Sequence, residues 1–224
     1  MKKPDSTVNT QVEGLVEGVL TKEEQARLTP ARVLELLKEG NKRFVKGEVT
    51  LRNHKEQIRR AAASQYPKAI VLSCVDSRVP VEDVFDQGIG DMFVARVAGN
   101  FVNTDILGSM EFACKVSGAR FILVLGHEHC GAVKGAVDSV KLGNITAMLE
   151  KIKPAVNSFS DYNGEKASSN TEFVHMVAKK NVQLSVAGIR QGSSILLEME
   201  TAGEIMITGA MYDMKTGQVD FIET

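Results

Sequence analysis

In CVDSRVP, residues 74 to 80, a single short stretch carries a thiol, a carboxylate and a guanidinium: Cys74, Asp76 and Arg78. Further along, GHEHCGAV places His127 and Cys130 three positions apart, a spacing that keeps two side chains on one side of a turn. Two cysteines and a histidine make a three-ligand set. Three protein ligands with a fourth position left for water are the mark of a catalytic zinc, whereas structural sites usually close with four. Thiolate and imidazole also suit zinc better than magnesium or calcium. A zinc ion so held would supply hydroxide at neutral pH by lowering the pKa of its bound water towards 7. Two thiolates cancel the formal charge of the metal, so a helper is needed. Asp76 could accept a hydrogen bond from a zinc-bound hydroxide and aim it, while Arg78 keeps that carboxylate ionised and oriented. The plain alternative for Asp76 and Arg78 is a surface ion pair, worth only about 0 to 1 kcal/mol.

These residues converge only if the elements that carry them are neighbours. KAIVLSC and ARFILVLG are short apolar, β-branched runs of the kind buried parallel strands show, and each ends at one of the two motifs. GDMFVARVAGN predicts a third strand over Met92 to Val97, and TDILGSMEFACKV a helix over Thr104 to Val116. Strand, strand, helix, strand is the order of an α/β fold with a mostly parallel sheet flanked by helices. Such sheets bind ligands at the carboxyl ends of their strands, where both motifs would lie. Ahead of the sheet, Thr29 as N-cap and Pro30 at the first helical position open a helix in LTPARVLELLKEGNKRF. Residues 1–47 are expected to be helical arm and tail. Behind the sheet come a helix after Cys130, a soft loop at NSFSDYNGEKASSN, a helix from Thr171 to Arg190 capped by Ser169 and Glu172, and a helix from Ser194 to Thr201. EIMITGAMYD and VDFIE around MKTGQ predict a C-terminal β-hairpin. No linker divides the chain, and one domain over residues 1–224 is expected.

Composition agrees with one ordinary α/β domain. The chain has 224 residues, 43% hydrophobic and 25% charged, with a formal net charge of -1. No basic block marks a nucleic-acid partner, and no apolar run approaches the roughly 18 to 20 residues of a membrane span. Three cysteines are too few for a disulfide framework and point to reduced thiols or metal ligands. Cys114, inside LGSMEFACKVSG, reads as a small buried thiol. His129 is read as solvent-facing, and His54 and His175 as surface histidines. MKKPDSTVNT lacks the apolar stretch of a secretory signal, so a cytoplasmic location is expected, with a periplasmic one if a leader has been removed.

Together, CVDSRVP and GHEHCGAV resemble the β-class carbonic anhydrases, and the resemblance runs from the helical arm to the terminal hairpin. It implies reversible hydration of carbon dioxide, with Cys74, His127 and Cys130 as zinc ligands and Asp76 with Arg78 as the dyad beside the metal. It also implies a homodimer whose N-terminal helices embrace the partner, or an assembly of such dimers. By position, Gln65 matches a glutamine that donates to bicarbonate in the partner's pocket, and Phe93 and Phe112 match the aromatic wall of the carbon dioxide pocket. Gly131 would let backbone approach the substrate. Two small departures are phenylalanine at 112, where tyrosine is common, and Ala132 in place of a second glycine. One subgroup carries an inhibitory bicarbonate pocket built on a tryptophan, an arginine and a tyrosine. Here the tryptophan position is Val71 and the chain has no tryptophan, although Arg96 and Tyr212 keep the other two types. The resemblance therefore favours the plant-like, open-site subgroup, with Asp76 paired to Arg78 rather than bound to zinc.

Two rival functions fit less well. A cysteine phosphatase needs five residues between its cysteine and arginine, and three intervene between Cys74 and Arg78. A zinc-stabilised binding module would have no use for Asp76, Arg78 or Gln65. Within the family, a hydrolase acting on carbon disulfide or a similar linear molecule would use the same hydroxide.

Overall fold

The structure, a computed structural model, describes residues 14–222. Its centre is a five-stranded sheet in the order β2-β1-β3-β4-β5, made of β1 (Ala69–Ser73), β2 (Met92–Arg96), β3 (Phe121–His127), β4 (Met206–Tyr212) and β5 (Val219–Ile222). The β1/β2, β1/β3 and β3/β4 pairs are parallel, and β4/β5 is the antiparallel C-terminal hairpin. The mostly parallel α/β sheet expected from the sequence is therefore present.

The apolar runs of β1 and β3 reflect burial on both faces. Side chains alternate sides along a strand. Ile70, Leu72, Ile122 and Val124 enter one core, while Ala69, Val71, Phe121, Leu123 and Leu125 enter the other. The second core is closed by Val33 and Leu37 of α2 (Pro30–Lys46) and by α4 (Val81–Val84), after the short α1 (Lys22–Ala26) and α3 (His54–Ala61). The first lies beneath α5 (Thr104–Glu111), α6 (Gly131–Val137), α7 (Gly143–Glu150), α8 (Lys153–Asn157), the long α9 (Thr171–Gly192) and α10 (Ser194–Thr201).

Helix α9 lies directly on the sheet. A Cβ at Gly126 of β3 would stand 2.5 Å from Val182 Cγ2, and one at Gly209 of β4 would stand 2.5 Å from Val182 Cγ1. Real Cβ contacts are not that short, so the two glycines let this helix approach so closely.

Thr29 caps α2 as expected, accepting from Arg32 N at 3.2 Å. Two expectations, the cap of α9 and the loop before it, need correction, while the arm and the helix expected over Thr104–Val116 gain detail. In the described part of the arm, Val16 forms a parallel bridge with Arg52 before α1 begins. Expectations for residues 1–13 lie outside the described residues. The helix after Asn103 widens into a π-turn over Phe112–Val116, closed by Ser117 N to Phe112 O at 2.9 Å; this wider turn buries both Ala113 and Cys114. The cap of α9 is Asn170, whose side chain accepts from Phe173 N at 3.1 Å, while Ser169 turns its hydroxyl to Glu165. The loop before it is tied down rather than soft. Tyr162 stacks on Phe173 at 5.0 Å, and Asp138 accepts from Ser168 N at 2.9 Å. Among the described residues, no helix is long and apolar enough to cross a membrane.

Candidate metal centre

Strands β1 and β3 are adjacent and in register, Ser73 opposite Leu125, so the chain leaving each arrives at one edge of the sheet. Cys74 follows β1, His127 is the last residue of β3, and Cys130 is the N-cap of α6. Their ligand atoms lie within 4.8 Å of one another, and all three residues are buried. His127 Nδ1 lies 2.8 Å from the carbonyl oxygen of Glu128, which marks Nδ1 as the N–H donor and leaves a lone pair on Nε2. Nε2 is buried without a hydrogen-bond partner among the described residues. An orphaned acceptor facing two thiols is costly unless a cation takes its lone pair.

The spacing of the sulfurs fits such an ion. Two thiolates each about 2.3 Å from a tetrahedral zinc stand about 3.8 Å apart. Cys74 Sγ and Cys130 Sγ are 3.9 Å apart. The Cys130 thiol beside Cys74, then the His127 ring and the Gly99 amide, hold the Cys74 thiol well below the ordinary range. Sharing a proton with Cys74, together with burial, pushes Cys130 up. The pair thus gives up one proton readily and keeps the other, and a bound cation would release the second.

The turn after Cys74 closes with Val79 N on Asp76 O at 3.2 Å. Asp76 Oδ1 accepts from Arg78 N at 3.0 Å and Arg78 Nε at 2.9 Å, and Oδ2 accepts from Arg78 Nη2 at 2.8 Å. This two-pronged bond, with help from the Arg78 amide, lowers Asp76 below the usual carboxylate range. Its Oδ2 also faces His127 Nε2 at 4.0 Å, so the carboxylate borders the ligand cluster while remaining paired with arginine. Arg96, the last residue of β2, fastens the turn: Nε donates to Cys74 O at 2.8 Å, and Nη2 to Asp76 O and Val79 O, each at 2.9 Å. This role of Arg96 depends on carbonyls up to 22 positions away and is not legible from its own motif. Gly99 N donates to Cys74 Sγ at 3.3 Å, a contact equally invisible beforehand.

The other named residues lie apart from this cluster. Phe93 and Phe112 pair at 6.2 Å between ring centroids and line a cleft of about 560 Å³ with Ile70 and Ala95. Phe112 is 53% exposed, so it is not core packing. Gln65 is exposed, and its side chain makes no hydrogen bond among the described residues. Gly131 opens α6, and a Cβ there would meet nothing within 4 Å. His129, half-buried at φ +53°, stands outside the ligand group. His54 and His175 are exposed, and Cys114 is 2% exposed with its thiol pushed up to about 12 by burial, an inert core residue.

Known proteins are similar to this chain. A family model described as carbonic anhydrase matches residues 69–219. Carbonic anhydrase 2 of Mycobacterium tuberculosis is 34% identical over 195 residues, 84% of this chain and 91% of that one. A carbonic anhydrase of Mycolicibacterium smegmatis is 35% identical over 200 residues, 85% of this chain and 92% of that one. The crystal structure of the β-carbonic anhydrase CafA of Aspergillus fumigatus shares the fold at a TM-score of 0.68 and 23% identity, covering 86% of this chain and 90% of that one. With the family match spanning the sheet from β1 to β5, and both motifs inside it, the chain belongs to the carbonic anhydrase family, in its β class.

Proposed function

We propose that the protein catalyses the reversible hydration of carbon dioxide to bicarbonate and a proton, as a zinc-dependent carbonate dehydratase. The observation that carries this is the buried meeting of Cys74, His127 and Cys130, with His127 Nε2 unpartnered, beside a paired Asp76. The Cys2His donor set selects zinc, which when bound supplies hydroxide at neutral pH. Asp76 accepts a hydrogen bond from the attacking oxygen and aims its lone pair at carbon. Arg78 keeps Asp76 ionised and turned away from the ligand position, the arrangement of an open site. Arg96 holds the whole turn still.

The substrate pocket is completed by a second copy of the chain. Phe93 and Phe112 line the cleft against β2, Gly131 leaves open space beside Cys130, and the exposed Gln65 reaches into the partner's site. Exposed apolar residues at Phe112 (53%) and Val116 (71%) support a covered surface there. The inhibitory bicarbonate pocket is absent in this reading. Val71 is fully buried between β2 and β3, and the guanidinium of Arg96 is committed to three carbonyls. Both features support the open-site, plant-like assignment.

Stopped-flow hydration of carbon dioxide, with metal analysis on the same sample, tests the proposal. One zinc per chain and turnover lost together with zinc in Cys130→Ser are expected. Full turnover in a zinc-free preparation overturns it.

A further inference from the structure

The loop after β2 has two consecutive residues in left-handed backbone, Gly99 at φ +84° and Asn100 at φ +40°. Gly99 has no room for a side chain, since a Cβ would stand 2.4 Å from Ile152 Cδ1 and 3.3 Å from Ala132 Cβ. Backbone of this kind is costly for a non-glycine residue and persists only where its surroundings over-determine it. The conformation brings Gly99 N to Cys74 Sγ at 3.3 Å.

Two side chains of α9 hold it. Asn181 Nδ2 donates to Gly99 O at 2.7 Å, and Ser185 Oγ donates to Asn100 O at 3.1 Å. They are one helical turn apart, 3% and 4% exposed, within a buried face otherwise made of Phe173, Val174, Val177, Ala178, Val182, Val186 and Ile189. Burying an amide and a hydroxyl on an apolar helix face is tolerated only because each finds a partner, and the partners here are the buried carbonyls of Gly99 and Asn100. What they supply is position: both bonds end on the two residues whose turn aims an amide at a metal-ligand sulfur.

We infer that Asn181 and Ser185 are positioning residues that clamp the 99–100 turn, aim the Gly99 amide at the Cys74 sulfur, and so set how much charge that sulfur gives to the metal. The inference rests on the zinc reading above. An N–H bond to a thiolate draws electron density from sulfur, leaving the metal a stronger Lewis acid, which offsets part of the neutralisation by two thiolates. Neither side chain touches a ligand atom, and they act through the loop, as outer partners of metal ligands do.

Cobalt substitution tests this, because the near-ultraviolet thiolate-to-cobalt charge-transfer band reports the electron richness of sulfur. Asn181→Leu, which keeps the branched shape and removes the donor, is expected to move the band to longer wavelength and, by freeing the turn that holds Cys74 in place, to weaken zinc binding by about 10- to 100-fold. Ser185→Ala, the milder change, should shift it the same way by less, and serves if the first variant folds poorly. Val182→Ala, the adjacent packing position, should lower the melting temperature and leave the band in place. Bands for both clamp variants that overlay the native one, with zinc affinity within about twofold, overturn the inference and leave the zinc reading intact. A native protein that shows no thiolate band with cobalt overturns both.

Discussion

The connection between β1 and β2 holds two aspartates, each bound to arginine, that do opposite work. Asp76 meets its arginine two residues away, with side chains 16% and 55% exposed. Asp86 is 1% exposed, and its arginines come from distant chain: Arg43 Nε of α2 at 2.6 Å and Arg52 Nη1 at 2.5 Å. Thr50 adds its amide at 3.1 Å and its hydroxyl at 2.7 Å, and Arg52 Nη2 reaches back to Asp86 O at 2.5 Å. The first pair closes a loop of two residues and leaves Oδ2 bordering the metal ligands. The second ties α2 and the segment before α3 to the floor of the second core. Equal chemistry thus serves orientation where the partner is local and the surface open, and fastening where the partners are remote and the carboxylate is dry.

The largest effect that separates them is on turnover. Asp76→Asn keeps size and loses charge, so carbon dioxide hydration should fall by about 10² to 10⁴-fold while zinc content stays native. A variant with normal turnover would reduce Asp76 to a surface residue and dissolve the contrast. Asp86→Asn should do the reverse. Leaving two arginines without their buried partner should cost about 2 to 4 kcal/mol in denaturant unfolding, with turnover of the folded, zinc-loaded protein within about threefold of native. Loss of turnover without loss of stability in this variant would show that the fastening reaches the site.

Acid titration gives the smallest and sharpest contrast. Burial raises the Asp86 pKa, but bonds from Arg52, Thr50 and Arg43 outweigh it, so the group is lowered from 3.8 to about 2. A depressed folded-state pKa stabilises above the unfolded value and loses that stabilisation as pH falls through the folded one. At 1.36 kcal/mol per unit, the Asp86 charge contributes about 2 kcal/mol above pH 4. The stability gap between the native protein and Asp86→Asn should accordingly narrow between about pH 4 and pH 2. A gap of constant width over that range would remove the carboxylate charge from the account.

What was legible in the sequence was local. Cys74, Asp76 and Arg78 share one turn, His127 and Cys130 share another, and the apolar runs of β1 and β3 announce strands buried on both faces. Adjacency of those runs then brings the ligands together. What was missed depends on contacts between distant segments. Asn181 to Gly99 spans 82 positions, and Asp86 to Arg43 spans 43. A signal existed for the clamp: an asparagine and a serine one turn apart on an otherwise apolar helix face are a buried polar pair in search of partners. The cap of α9 went to Asn170 rather than Ser169 because either residue type can cap, and a shift of one position leaves the apolar pattern unchanged.

The two glycines beneath Val182 set a thickness. Because neither Gly126 nor Gly209 carries a methyl group, the branched valine can sit on the strands, and Asn181, its neighbour in sequence, is lowered with it to within reach of Gly99. The gap between helix and sheet is therefore set jointly by three positions, Gly126, Gly209 and Val182. A methyl gained on the strands is tolerable only with one lost from the helix, so these sites are free to change as a set and constrained one at a time. Repacking of this layer therefore calls for paired substitutions, and the shape of the pocket formed by Cys74, His127 and Cys130 follows the sum of volumes rather than any single residue.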